Sequence, residues 1–279
     1  MPAEVLLGTK GLTASEVIAI ARDYATIKIS DDAYSAIDRA RKIVDDLAAS
    51  KEAVYGVSTG FGALARKYID ADMRAQLQRS LIRSHAAGSG APVEIEVVRA
   101  MMALRLATIC RGNSGVKRDI ASIYAKILNA RITPIVREYG SLGCSGDLAP
   151  LSSCALVAMG EGEVLDSSGA ILSAKDALSN AGITPVELST KEGLALINGT
   201  DGMSGQLVMA LSDIEQLLRT LDISAALSVE AVLGTDRVFQ SELHAIRPQV
   251  GQMKSAANLA LLLKDSPMVK SHAVDDHRV

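Results

Sequence analysis

Four short stretches of this sequence place chemically capable side chains among glycines and other small residues. The least ordinary is Gly140-Ser141-Leu142-Gly143-Cys144-Ser145-Gly146-Asp147-Leu148-Ala149-Pro150-Leu151. Glycines at 140, 143 and 146 open backbone conformations that other residues avoid. Pro150 fixes φ where a helix can begin. The peptide around Ser145 can therefore be bent hard and held, and stored backbone strain of that kind accompanies function. Upstream, Tyr55-Gly56-Val57-Ser58-Thr59-Gly60-Phe61-Gly62 sets a phenol in a glycine-rich loop, and Ser84-His85-Ala86-Ala87-Gly88-Ser89-Gly90 sets an imidazole in another. Downstream, Asn198-Gly199 follows an apolar run. Taken singly, these read as a packing tyrosine, a helix-end histidine and a turn. Gly56-Val57-Ser58-Thr59-Gly60 also fits the G-x-S-x-G pattern of serine hydrolases, but that elbow must run into a helix, and Gly60-Phe61-Gly62 does not.

The elements between these loops read as helices. Thr13-Ala14-Ser15-Glu16 is a capping box, and Val17, Ile18, Ala21 and Tyr24 then share a face. A second helix follows Ser30, with Ala33, Ile37, Ala40, Val44 and Leu47 as its stripe. Helical patterns resume over 71–84, 94–111 and 118–130, and Pro134 closes the last. Residues 150–160 form a short buried helix, and 161–190 a surface excursion with a small helix at 173–180. A proline-free run over 204–233 suits the spine of a helical bundle, and another helix covers 251–264. The expected fold is all-α, with short strands only near 55–62 and 161–172.

The 279 residues are 48% apolar and carry a net charge of −3, which allows a sizeable core and gives no basic excess for nucleic acid. Aromatics make up only 3%, so the core must be Ala, Leu, Ile, Val and Met, which suits close-packed helices. Three cysteines, Cys110, Cys144 and Cys154, show no metal-site spacing and, being odd in number, no disulfide framework. A reducing cytoplasm is the expected compartment. No secretory signal and no membrane span are expected.

Together and in order, the four loops resemble the histidine and aromatic amino-acid ammonia-lyases, enzymes with a methylidene-imidazolone (MIO) prosthetic group. The likeness rests on Tyr55 through Gly62, Leu77-Gln78-Arg79-Ser80-Leu81 through Gly90, Gly140 through Leu151, and Glu192 through Thr200. It runs along the whole chain and corresponds to the N-terminal half of such enzymes. The resemblance implies a group-bearing domain over residues 1–200 and the first helices of a central bundle over 201–279. It implies that the Gly146 amide nitrogen closes onto the Cys144 carbonyl carbon. Loss of two waters, one involving the Ser145 hydroxyl, then leaves an electrophilic methylidene. Asp147 would assist, and no external cofactor or metal is needed. An amino-acid substrate would add to that electrophile, lose a β-proton to Tyr55 and release ammonia, with Asn198 hydrogen-bonding the group and substrate.

Ser84-His85-Ala86-Ala87-Gly88 resembles the histidine-specific members, so the implied reaction is L-histidine to urocanate, with His85 facing the substrate imidazole. Phenylalanine or tyrosine ammonia-lyase, an aminomutase, and a non-catalytic assembly subunit are the alternatives. Two residues depart from the family pattern: Cys144 stands where Ala is usual, and Asp201 where Gln is expected after Asn-Gly-Thr. The implied partners are an amino acid, further copies of the chain (a tetramer in full-length relatives) or a complementing C-terminal half.

Overall fold

Thr13 caps the first helix as its sequence requires. Its hydroxyl accepts the Glu16 N–H, and the Glu16 carboxylate accepts the Thr13 N–H at 2.8 Å. The structure is a computed structural model that describes residues 4–50, 52–142 and 146–272. Strand β1 (Glu4–Leu7), helix α1 (Ala14–Ala21) and strand β2 (Thr26–Ile29) open the chain, with the strands paired in parallel from Glu4–Thr26 to Leu7–Ile29. Parallel neighbours need a crossover, which α1 supplies. Then come α2 (Asp31–Ala49), α3 (Arg74–His85), β3 (Ser89–Pro92), α4 (Ile95–Cys110) and α5 (Arg118–Asn129). Strands β4 (Thr133–Pro134) and β5 (Arg137–Tyr139) precede α6 (Leu148–Ala158). After β6 (Glu163–Leu165) and β7 (Ile171–Ser173) the chain is helical: α7 (Ala174–Asn180), α8 (Glu192–Ile197), α9 (Asp201–Ala231), α10 (Ser241–Ala245), α11 (Val250–Leu262) and α12 (Pro267–Lys270).

The chain divides into two compact units, residues 1–209 and 210–279. At the centre of the first lies α4, which is buried on nearly every side, from Val98, Met101 and Met102 to Leu106, Ile109 and Cys110. A helix that is apolar all round belongs inside a core, yet α4 carries two buried arginines. Arg99 donates to the carbonyls of Ile20 (2.8 Å) and Ala21 (3.3 Å), where α1 ends, and of Leu128 (3.1 Å), near the end of α5. The last carbonyls of a helix lack i+4 donors; the Leu128 carbonyl also accepts the Arg131 N–H at 3.2 Å, and the guanidinium joins the ends of both helices. Arg105 serves the candidate site. In the second unit Ala226, Leu259, Leu263 and Val269 pack together, with Val229 and Phe239 against them.

The helices lie close to their expected places. Pro150 is the third residue of α6, where a missing N–H costs nothing because the first four amides of a helix have no intrahelical acceptor. The strands differ from expectation. β6 and β7 fall where strands were expected near 161–172, but residues 55–62 carry only an isolated bridge between Thr59 and Tyr68. The β1–β2 pair and the antiparallel β3–β5 pair were not anticipated. Segments of three or four residues hold too few alternations to separate a strand from a loop by pattern. No described helix is long and apolar enough to cross a membrane.

Candidate active site

Tyr55, His85 and Asn198, separated widely in sequence, line one cavity of about 300 Å³ together with Phe61, Leu81, Leu148, Leu194 and Ile197. Each arrives from a different element. Tyr55 stands in the glycine-rich loop, 53% exposed, with its ring edge-on to Phe61 at 6.2 Å between centroids. Its hydroxyl accepts the Gly62 N–H at 3.5 Å.

His85 is the last residue of α3. Its Nδ1 lies 2.9 Å from the Leu81 carbonyl and 3.0 Å from the Ser84 hydroxyl. A carbonyl only accepts, so Nδ1 donates to it, and the tautomer protonated there has Nε2 as an acceptor. Asn198 ends α8 in an extended conformation (φ −88°, ψ 94°), which carries the chain out of the helix and into Gly199.

Gly199 ties this cavity to the glycine-rich string. Gly146 and Gly199 form a parallel bridge, and the Asp147 N–H donates to the Gly199 carbonyl at 2.6 Å. Gly146 has φ +87°, and a Cβ there would stand 2.0 Å from the Gly199 oxygen. Only glycine fits. The Asp147 carboxylate is buried and accepts from the Ser141 hydroxyl (2.7 Å) and from the Met203 N–H (2.9 Å) in the first turn of α9. A helix N-terminus favours a negative group, so this carboxylate is well placed. Its side chain does not line the cavity of Tyr55. It lines a smaller one of about 120 Å³, shared with Met101, Ser141, Met203 and Gln206. Cys144 and Ser145 lie outside the described residues.

Arg105 and Asp201 form a buried ion pair under Asn198 and Gly199. Burial raises the Asp201 carboxyl above its usual range, and the adjacent Arg105 guanidinium opposes that rise. The sequence pointed to Asp201 but not to Arg105, and Ser141 and Gln78 stood in its motifs without a role; the buried Gln78 side-chain oxygen accepts the Leu194 N–H at 3.2 Å. A signal for Arg105 existed: a charge within the apolar run of α4 must find a partner. The thiols of Cys110 and Cys154 are buried, which pushes Cys110 up to about 12 and Cys154 higher still, so neither offers a ready thiolate.

Residues 12–279 match the family model for aromatic amino acid lyases. The chain belongs to that family. It is 59% identical over 275 residues to a histidine ammonia-lyase of Streptomyces avermitilis, across 99% of this chain and 54% of that protein. Among solved structures, a histidine ammonia-lyase from Trypanosoma cruzi matches with a TM-score of 0.84 at 36% identity, covering 92% of this chain and 49% of the other. A tyrosine aminomutase from Streptomyces globisporus matches at 0.87 and 36% identity, covering 94% and 49%. This aromatic amino acid lyase chain spans about half the length of the curated relatives it matches.

Proposed function

We propose that this chain is the N-terminal portion of a histidine ammonia-lyase that converts L-histidine to urocanate and ammonia, with an MIO group made from Cys144, Ser145 and Gly146. One observation carries the reading: Tyr55, His85 and Asn198 converge on one cavity whose Asn198 edge is bonded, through Gly199, to the Gly146–Asp147 backbone. The described residues fit such a group, because Gly146 occupies a conformation and a space that admit no side chain. When present, the group supplies an electrophilic carbon that no ordinary side chain offers.

The roles follow from the groups in place. The Tyr55 oxygen takes the substrate's β-proton, and a base within hydrogen-bond reach of that proton is what the elimination requires. The amine leaves as ammonia and an α,β-unsaturated acid remains. His85 Nε2 accepts a hydrogen bond from the substrate imidazole N–H, and the Asn198 amide orients the substrate. Phe61, Leu81, Leu148, Leu194 and Ile197 exclude water from the reacting atoms. In this reading residues 1–200 carry the group and the following helices begin a bundle. The working enzyme is a homo-oligomer or a complex with the C-terminal half. Cys110 and Cys154 are free thiols, which suits a reducing cytoplasm.

The test is urocanate absorbance on incubation with L-histidine, alone and with a separately expressed C-terminal half. Urocanate from histidine, with no product from tyrosine or phenylalanine, is the expected result. Turnover of tyrosine or phenylalanine instead would remove the role given to His85. A β-amino acid product would select the aminomutase. A chain that keeps its full encoded mass and stays silent with its partner half would be an assembly subunit.

A further inference from the structure

The segment Asn198-Gly199-Thr200 joins α8 to α9: the Asn198 N–H still donates back to the Leu194 carbonyl at 3.1 Å and the Thr200 carbonyl accepts the Ser204 N–H at 3.0 Å, while Gly199 between them belongs to neither helix. The last carbonyls of a helix lack intrahelical partners. Arg105 takes two of them here, donating through Nη1 to Ala195 O at 3.2 Å and to Asn198 O at 3.4 Å. Its Nη2 pairs with Asp201, the first residue of α9, whose second oxygen accepts from Thr108 Oγ1 at 3.5 Å. One guanidinium thus binds the end of α8 to the start of α9.

The contact with Gly199 is close. A Cβ on Gly199 would stand 1.7 Å from Arg105 Nη2 and 2.6 Å from Asp201 Oδ2. The carbonyl of the same residue grips the Asp147 N–H at 2.6 Å. Gly199 is therefore held by the ion pair at its Cα and holds the glycine-rich string through its oxygen. Arg105 and Asp201 are 3% and 8% exposed, so neither charge has water to fall back on. Breaking such a pair from one side leaves an uncompensated buried charge. Neither side chain lines the cavity of Tyr55, and the elimination uses neither.

We propose that Arg105 and Asp201 are positioning residues: their ion pair fixes the Asn198–Gly199 peptide, so that Gly199 holds Gly146 and Asp147 in the bend from which the ring closes. The part of this inference that concerns the ring rests on the histidine ammonia-lyase reading. The clamp itself does not. A lysine at 105 would keep the charge but present a point donor in place of the planar fork, and could not hold two carbonyls and a carboxylate together.

The experiment compares the unaltered chain with Arg105→Lys, Arg105→Met and Asp201→Asn. Arg99→Lys serves as the control, a buried arginine on the same helix that closes other helix ends. Two quantities are read on folded protein, matched by far-UV dichroism and a cooperative melt. One is the intact mass relative to the encoded chain; the other is hydrogen exchange at the Asp147 amide. The expected result is a two-water mass deficit in the unaltered chain and in Arg99→Lys, lost from most molecules of the Arg105 variants and reduced in Asp201→Asn. Exchange at Asp147 should accelerate roughly 10–100-fold in Arg105→Lys, the equivalent of losing hydrogen bonds to a charged group, and little in Arg99→Lys. Arg105 variants that keep both the deficit and the slow exchange would overturn the proposal, as would equal effects in Arg99→Lys. Should Arg105→Met not fold, Arg105→Lys and Asp201→Asn decide. If the unaltered chain shows no deficit, the ammonia-lyase reading fails, and the Asp147 exchange rates alone confirm or overturn the clamp.

Discussion

The two sides of the candidate site are built differently. On one side Asn198 and Gly199 rest on a buried ion pair, and the neighbouring Asp147 carboxylate is buried with partners for both oxygens. On the other side Tyr55 is half exposed, with a 3.5 Å hydrogen bond and one edge-on ring contact. The first arrangement holds a backbone bend and tolerates no change of shape. The second leaves the Tyr55 side chain, the base in the proposed reaction, half exposed. Where a bend must persist against strain, a buried and paired charge supplies the stiffness. Where a proton must be moved, a lightly held side chain suffices.

The sharpest way to break this contrast is to make one small change on each side, a methyl group added to the first and a hydroxyl removed from the second. Gly146→Ala would place a Cβ 2.0 Å from the Gly199 oxygen in a left-handed conformation. It should cost about 3 kcal/mol or more and abolish ring formation, as read by chemical denaturation and intact mass. Tyr55→Phe, by contrast, should leave stability within about 0.5 kcal/mol and lower urocanate formation by roughly 10²-fold or more, the scale of a lost general base. If Tyr55→Phe unfolded the protein, or Gly146→Ala left mass and stability unchanged, the division between a stiff side and a mobile one would fall.

A smaller effect concerns the helix that carries His85. Arg83 on α3 makes a two-point contact with Glu161 just beyond α6, at 2.7 and 2.8 Å. The hydrogen bond from Arg83 holds the Glu161 carboxyl below its ordinary value. A carboxylate lowered in the folded state adds stability above its unfolded pKa, and that stability is lost as pH falls through the lowered value. Melting temperature should therefore show a small acid-side decline that Arg83→Gln flattens, and added salt should weaken it because the pair is solvent-accessible. An acid limb identical in the variant would remove this contact from the account.

Much of the fold was legible in local pattern. The capping box at Thr13 and the face of α2 made by Ala33, Ile37 and Val44 needed only spacing and cap chemistry. The glycine-rich stretches at Tyr55, His85 and Asn198 were legible for a different reason: glycine beside a polar side chain has no role in a packed helix. The Arg105–Asp201 pair was not legible, because its members lie 96 residues apart and a long-range contact leaves no periodicity. The same holds for β1 and β2, whose pairing depends on α1 folding back between them. Asp147 is an intermediate case. Its position after Gly146 marked it, but its hydrogen bond to Met203 depends on where α9 begins.

The central claim is the proposal that Cys144, Ser145 and Gly146 close a ring, and the intact mass of the purified chain tests it most directly. The account predicts a mass below the encoded value by two water molecules, with the deficit confined to the peptide that contains Cys144, Ser145 and Gly146. A chain at its full encoded mass, folded and with Tyr55, His85 and Asn198 in place, would contradict it.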